Sequence, residues 1–337
     1  SGNDARAGRI VLDGRHAALK GLGRGLGVHR AALFSVLHDA VLRAGIPIHT
    51  GFTVSGVEGS AGAMHLVAGG LREGPFDLVV DALGAGSPLK PLAGGGDRLR
   101  PLAFGALWAT TPWAEGFDRS ALMQRYRGAS VMIGVLPIGR QRPGGQELAA
   151  FFWSLRTAGY EALRKRGLEA WKDVVRGHWP ETAPHLDAIA SFDDLNFARY
   201  AHHTLRVPAG DGIVFIGDSA HATSPQLGQG ANMALLDACA FAAALRAATD
   251  AAAAITRYVR MRRWQVRLYQ ALSLSLTPFY QSDSRVLPLV RDFLVSYVAR
   301  IPPAPQFLAA MVAGALLSPI KALGLSAPPP LEVLEAA

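Results

Sequence analysis

The segment Gly217-Asp-Ser-Ala-His-Ala-Thr-Ser-Pro-Gln-Leu-Gly-Gln-Gly-Ala-Asn232 sets a carboxylate, a proline and closely spaced glycines between two apolar stretches. Ile213-Val-Phe-Ile216 before it reads as a buried strand, and Met233 to Ala248 after it as a long helix. A strand that ends in Gly-Asp and passes through a Pro- and Gly-rich loop into a helix has the layout of a cofactor site. Glycine lets backbone approach a ligand with no Cβ in the way. The helix start offers unpaired N–H groups and the positive end of its dipole to an electron-rich or anionic group. Asp218, at the carboxyl end of its strand, can accept hydrogen bonds from ribityl or ribose hydroxyls.

The run Gly217 to Ala238 closely resembles the second FAD motif of the single-component flavoprotein aromatic hydroxylases, the group that includes p-hydroxybenzoate hydroxylase and the ubiquinone-pathway hydroxylases. The resemblance implies that FAD is the cofactor and NADH or NADPH the co-substrate. It implies that O2 and a small aromatic or polyprenyl-phenolic, lipophilic substrate are the partners, with hydroxylation through a flavin C4a-hydroperoxide. Pro225 and Gly228-Gln229-Gly230-Ala231-Asn232 would sit against the isoalloxazine, their amides and the helix dipole near N1 and C2=O of the reduced ring. Asp218 would hold the ribityl chain. Such chemistry belongs to the cofactor, while protein supplies position and excludes water, so no residue is singled out as a catalytic acid or base.

Other segments carry the resemblance further. Gly27-Val-His-Arg30-Ala-Ala-Leu33-Phe-Ser-Val-Leu37 resembles the family's R-x-x-L-x-x-x-L segment, which makes Arg30 an FAD contact; an ordinary first-turn surface arginine is the alternative. Phe76–Val80 reads as a strand running into Asp81-Ala-Leu-Gly-Ala-Gly-Ser87-Pro-Leu-Lys90, similar to the middle motif G-A-D-G-x-x-S-x-x-R. Here Asp81 replaces the first glycine, Leu83 the aspartate and Lys90 the arginine, and the family ties that aspartate to flavin and reduced-nicotinamide handling. The family also opens with a G-x-G-x-x-G βαβ unit that holds the pyrophosphate. Gly21-Leu-Gly-Arg-Gly-Leu-Gly27 has the wrong spacing and follows no buried strand, so that unit is expected to be missing and residues 1–337 alone to bind FAD poorly.

The elements that must position these residues imply an α/β fold: an FAD/NAD(P)-binding doubly wound domain, its N-terminal βαβ unit missing, with an inserted, mainly antiparallel sheet and a helical C-terminal region. Residues 30–44 have helical spacing, and 46–58 and 63–68 alternate as strands. Strands are expected over 102–110, 130–136, 147–156 and 197–207, with a helix over 160–178 stopped at Trp179-Pro180. The expected domains are 1–96 with 207–270 for FAD, 97–206 for substrate and 271–337 as a helical cap. Thr277-Pro-Phe-Tyr-Gln-Ser-Asp283 resembles a segment that follows the FAD domain in the ubiquinone-type branch.

Within the inserted sheet, Trp153, Tyr200 and His202, together with Pro225, are candidates for an aromatic substrate pocket; an aromatic in such a sheet is more often plain core. Arg199 is a weaker candidate for a substrate carboxylate or phenolate. His202 and His203 are adjacent and point to opposite faces of a strand, and no Cys/His/carboxylate spacing supports a metal site. A Gly-x-Ser-x-Gly elbow around Ser219 is lacking, which disfavours a hydrolase triad.

Half the residues are hydrophobic and 18% charged, which excludes global disorder for the 337-residue chain. The net charge of +8 raises nucleic acid as a partner, but the arginines are spread out and no nucleic-acid-binding pattern accompanies them. The cluster Arg257, Arg260, Arg262, Arg263 and Arg267 has the spacing of a solvated helix face. The lone Cys239 forbids an intrachain disulfide, suits a reducing cytoplasm and reads as a small buried apolar residue. The stretch 301–325 is apolar but interrupted by Pro302, Pro303, Pro305 and Pro319, which fits helices packed on the body or peripheral contact with the inner face of a membrane better than a spanning helix. Two further readings remain open: a non-catalytic ligand-binding fragment or one chain of a split flavoprotein, and a flavin reductase or halogenase, though the halogenases' W-x-W-x-I-P segment is absent.

Overall fold

The computed structural model describes residues 2–4, 9–12, 25–97, 99–298, 301–320 and 323–325. Most of the Gly21–Gly27 cluster lies outside the described residues. The strands are β1 Gly2–Asp4, β2 Arg9–Leu12, β3 Gly56–Glu58, β4 Met64–Ala68, β5 Leu71–Phe76, β6 Val79–Asp81, β7 Arg100–Pro112, β8 Met123–Arg127, β9 Val131–Arg140, β10 Glu147–Arg156, β11 Asn196–His202, β12 Ala209–Gly210 and β13 Ile213–Phe215. The α-helices are α1 Arg30–Arg43, α2 Tyr160–Arg166, α3 Leu168–His178, α4 Ala183–Asp187, α5 Asp218–His221, α6 Gly230–Ala247, α7 Ala251–Tyr280, α8 Leu287–Leu289, α9 Ser296–Val298 and α10 Ala304–Val312, with a π turn at Val290–Val295.

The largest sheet has seven strands in the order β11-β7-β10-β9-β8-β1-β2, antiparallel except where β1 joins β8. Strand side chains alternate between faces, and here the two faces have different partners. Leu107, Ala109, Ile133, Val135, Phe151, Trp153 and Leu155 face Trp171, Val175, Trp179, Leu186 and Ile189 of the segment spanning α3, α4 and the turns beside them. The intervening Trp108, Met132 and Phe152 face the other way, with Tyr126 and with Tyr280 at the end of α7. Gly134 is required there, because a Cβ on it would strike the Phe152 ring. The expected single helix over 160–178 is two helices, because Gly167 (φ 93°, ψ 158°) breaks the turn between α2 and α3.

The second sheet is β12-β13-β6, with β13 parallel to β6. Val214 packs on Ala240, Phe241, Ala244 and Tyr258 of α6 and α7. Ile213 and Phe215 turn the other way, onto Met64, Val79, Leu89 and Leu205. The meander β3-β4-β5 lies on that side. This is the α/β arrangement expected, with both strand carboxyl ends at one edge of the helix layer.

Residues 46–55 form no strand, contrary to the alternation read in the sequence: Ile46 and Ile48 are exposed and no described strand pairs with them. Helix α1 buries no residue, and it leaves Phe34 and Val36 in solvent. Val80 on β6 is exposed as well. Cys239 is exposed rather than buried, because α6 turns Leu236, Ala240, Phe241 and Ala244 inward. Among the described residues, no helix is long and apolar enough to cross a membrane.

Candidate functional site

The site begins where β13 ends. Gly217 has φ 59° and ψ −141°, which favours glycine, and it turns the chain into the single-turn α5. Asp218 at the head of that turn is exposed, while Ser219, Ala220 and His221 are buried behind it. The Ser219 hydroxyl donates to the Asp81 backbone oxygen at 2.8 Å and so joins the ends of β13 and β6.

The loop then runs through Pro225–Leu227 to Gly228, which is left-handed at φ 63°, and into α6 at Gly230. A Cβ at Gly228 or Gly230 would meet only open space. The start of α6 has no side-chain cap and no acidic residue in its first turn. Its first amides are therefore free for a ligand, backed by the helix dipole.

The rear of the loop is tied down by polar side chains. Ser224 hydrogen-bonds Ser273 and Thr277 of α7 at 2.9 and 2.7 Å, and the Thr223 hydroxyl donates to Ser273 at 2.6 Å. Asn232 donates to the Gln229 side-chain oxygen at 2.7 Å, and Gln229 donates to the Val312 carbonyl at the end of α10 at 2.6 Å. Gly314 passes so close that a Cβ would collide with both Gln229 and Asn232.

Asp237, on the second turn of α6, is wholly buried. It accepts from the Gly217 N–H at 2.8 Å, from His221 Nε2 at 2.6 Å and from Arg262 Nε at 2.6 Å. Burial alone would raise this carboxyl, but His221 and Arg262 outweigh it and hold it below the ordinary carboxylate value. Arg262 is thus removed from the solvated cluster read in the sequence: it is buried, while Arg257, Arg260, Arg263 and Arg267 are exposed. Asp237 lies within the Gly217–Ala238 motif but drew no role there, and Arg262 belongs to no motif; the signal was a lone carboxylate in a largely apolar helix, which needs a buried cation.

At the end of β6, Asp81 is also buried, and its carboxylate is spent locally on the Ser87 hydroxyl and on the Leu83 N–H at 2.8 Å. It stabilises its own turn, while Leu83 projects into solvent. His203 bridges the Asp97 carboxylate and the Ser219 carbonyl and is structural in its contacts.

The face of the large sheet that Tyr280 partly covers is aromatic. The Trp108 indole N–H donates to the Tyr200 hydroxyl at 2.8 Å, and Trp108 lies 4.6 Å from Phe152 between ring centroids. Burial pushes the Tyr200 phenol up to about 12. His202 is buried on the same side, its Nδ1 3.4 Å from Gln270 Oε1 and 3.5 Å from Thr223 Oγ1. Its Nε2 is buried with no hydrogen-bond partner among the described residues, and burial lowers its pKa.

The candidate residues therefore divide. Tyr200 and His202 share a face, and His202 meets the loop that carries Pro225 through Thr223. Trp153 is not brought to them: it lies on the opposite face, 6.5 Å from Trp171 and 5.8 Å from His178 between ring centroids. Its place in the candidate pocket gives way to one in the core. Arg199 is exposed, stacked over Phe197. Arg30 opens α1 beside β9, where the His29 N–H donates to the Ile138 carbonyl at 2.9 Å; it is exposed and makes no hydrogen bond or ion pair among the described residues. No cluster of three or more metal-binding side chains occurs among the described residues.

The open glycines, the uncapped α6 and the exposed Asp218 fit the ring and ribityl portions of a flavin. Known proteins agree. Residues 107–267 match the FAD binding domain family. Over 199 residues the chain is 32% identical to the 6-methylpretetramide 4-monooxygenase of Streptomyces rimosus, covering 57% of this chain and 45% of that protein. The chain thus spans about half the length of that curated relative. Klebsiella pneumoniae HpxO, solved with FAD and uric acid, is similar with a TM-score of 0.70 at 18% identity, over 87% of this chain and 73% of that one. The 2-methyl-3-hydroxypyridine-5-carboxylic acid oxygenase is similar with a TM-score of 0.63 at 19% identity, over 81% and 70%. Residues 107–267 thus match the FAD binding domain family, and the chain shares the fold of these FAD-binding oxygenases.

Proposed function

We propose that the protein is an FAD-dependent monooxygenase that hydroxylates an aromatic small molecule with O2 and NADH or NADPH. The observation that carries this reading is the junction of two surfaces: the open loop at the head of α6, and the aromatic face of the large sheet that meets it at His202 and Thr223. Bound flavin supplies the redox chemistry and the activation of oxygen. The chain's own residues do the rest. Asp218 would accept hydrogen bonds from the ribityl hydroxyls, and the first amides of α6 would stabilise negative charge on the ring. Pro225 would shape the wall between ring and substrate, Gln229, Ala231 and Asn232 would complete the loop, and Arg30 would contact the cofactor from α1.

Trp108 and Tyr200, both half-buried, lie beside the buried Phe152, and the Tyr200 hydroxyl gives this aromatic face a polar handle, a composition that suits an aromatic ring system. The relative from Streptomyces rimosus is named for a 6-methylpretetramide substrate, and this supports a polycyclic phenol as the first compound to try. The test is oxygen uptake and NADH or NADPH oxidation by the flavin-loaded protein with polycyclic phenols. Product carrying one oxygen atom from 18O2 supports the reading; reductant oxidation that no phenol stimulates or couples to product defeats it.

A second reading has its own support. Leu83 stands where the family has an aspartate, and α1 and β6 leave apolar side chains uncovered. Both fit a chain that works only beside a further polypeptide segment. The domain division 1–96 with 207–270, 97–206 and 271–337 is proposed with either reading.

Peripheral membrane contact is also proposed. Arg257, Arg260, Arg263 and Arg267 line the solvent side of α7, with Arg263 and Arg267 over the ring of Trp264, itself 63% exposed. None of the four forms an ion pair among the described residues, and an exposed indole among guanidinium groups suits an anionic lipid surface.

A further inference from the structure

We propose that Asp237 is a positioning residue whose one carboxylate sets both ends of the flavin loop, an inference that rests on the flavin reading of that loop. Upstream of the loop, the Gly217 N–H and His221 Nε2 both donate to Asp237 Oδ2, at 2.8 and 2.6 Å. Downstream, Asp237 itself stands on α6, and its Oδ1 accepts from Arg262 Nε at 2.6 Å. Another Arg262 nitrogen reaches the Met233 carbonyl at 3.4 Å, in the first turn of that helix. Gln265, hydrogen-bonded to Arg262, passes its own amide to the Gly314 carbonyl at 3.2 Å. A single buried ion pair therefore joins the end of β13, the turn α5, the start of α6, the long helix α7 and the segment that crosses Gln229.

Stability does not explain this arrangement. A buried ion pair loses its hydration, and a well-packed apolar trio of similar volume is commonly as stable or more so. What a directional cluster supplies, and an apolar one does not, is a single relative placement of the groups it joins. The groups joined here are the ends of the stretch whose amides face the cofactor. The carboxylate accepts from three donors, and the Arg262 guanidinium among them balances its charge. The side chain touches neither ring nor substrate. It acts through the loop, and a shift of about 1 Å in such a support is enough to cost on the order of 100-fold in a reaction that depends on placement.

The experiment uses the full chain with its flavin and compares Asp237→Asn, Asp237→Leu and His221→Gln with the unaltered protein. Four readouts are taken: FAD affinity by fluorescence titration, the flavin absorption maxima, the flavin midpoint potential and amide hydrogen exchange. We expect Asp237→Asn and Asp237→Leu to weaken FAD binding by roughly tenfold or more, to shift the absorption maxima and the potential, and to speed exchange across 222–232 with the large sheet unchanged. His221→Gln keeps a donor toward the carboxylate and should retain affinity within about threefold. If Asp237→Leu melts at or above the temperature of the unaltered protein and binds FAD with unchanged affinity, spectrum and loop exchange, the inference is overturned. If the Asp237 variants lose thermal stability with those flavin properties unchanged, it is overturned as well, since the carboxylate would then be an ordinary core contact. Should the unaltered chain hold no flavin under any condition, the proposed function fails; unchanged 222–232 exchange in the variants would then overturn the positioning role, and selective acceleration there would sustain it.

Discussion

Trp108 donates its indole N–H to the Tyr200 hydroxyl at 2.8 Å, and this bond ties β7 to β11 on the face of the sheet that Trp153 does not share. The pairing Phe152↔Trp108 and Trp153↔Leu107 shows why. Neighbouring residues on β10 belong to different layers, one beside the proposed substrate and one beneath α3. Trp153→Ala should therefore cost about 3–5 kcal/mol of stability, as for other large core truncations, with little change in KM for a bound phenol. Tyr200→Phe should raise KM several-fold, because the Trp108 N–H loses its acceptor, with a melting shift of only a few degrees. Thermal melts and steady-state kinetics on both variants check the assignment; a Trp153 variant with altered KM and unaltered melting would reverse it.

Asp218 is exposed, so its loss should not disturb the core. Asp218→Ala is expected to weaken FAD binding by roughly tenfold, the cost of losing a carboxylate acceptor for sugar-type hydroxyls, while the melting curve without flavin stays in place. Fluorescence titration decides it: equal affinities would remove Asp218 from the cofactor site.

Acid should destabilise the fold earlier than carboxylates alone predict. Burial lowers the pKa of His185 and, with help from Arg100, that of His202. In both cases the folded value lies below the unfolded one, near ~6.5, so the folded state binds fewer protons and loses stability as pH falls through that value toward the folded one. Asp237 is depressed too, so its contribution is present above an unfolded value of ~3.9 and vanishes only in stronger acid. Urea midpoints should fall already between about pH 7 and pH 5. His185→Phe should flatten that slope, and midpoints independent of pH over the same window would contradict the assignment.

Gly314 combines φ 73° with an approach to Gln229 and Asn232 that leaves no room for a methyl group. Gly314→Ala should push the crossing segment off the loop and break the Gln229 bond to the Val312 carbonyl. A loss of about 1–3 kcal/mol in stability and faster hydrogen exchange at 304–320 are expected. An Ala variant with unchanged exchange would show that the segment does not brace the loop.

The α7 arginines give a salt-dependent test. The full chain should co-sediment with vesicles rich in phosphatidylserine and not with neutral ones, with binding lost as ionic strength rises. Charge reversal at Arg260 and Arg267 together with Trp264→Ser should abolish it. Equal partition to neutral vesicles, or none to either, would dismiss the membrane contact.

Much of the site was legible because short-range chemistry fixes it. Gly217, Pro225, Gly228 and Gly230 mark the turns that the loop makes, and β10 begins and ends where its alternation does, at Glu147 and Arg156. What escaped depends on partners distant in sequence. Trp153 and Phe152 are alike as residues, and only the register with β7 assigns their faces. Arg262 looked like its neighbours until Asp237, 25 residues away, claimed it. The alternation of Ile46 and Ile48 was real, but a strand needs a neighbour to pair with, and alternation does not supply one. Cys239 looked buried because α6 is apolar nearly all round, while only one side of it is covered.

That uneven coverage has a practical consequence. Among the described residues β6 is an edge strand of its sheet, with Val80 exposed along it and apolar side chains of α1 also in solvent. Such an edge pairs with whatever backbone it encounters, including another copy of itself. Concentrated preparations of residues 1–337 should therefore drift toward soluble aggregates, and a polypeptide that caps this edge should suppress them in proportion to its occupancy.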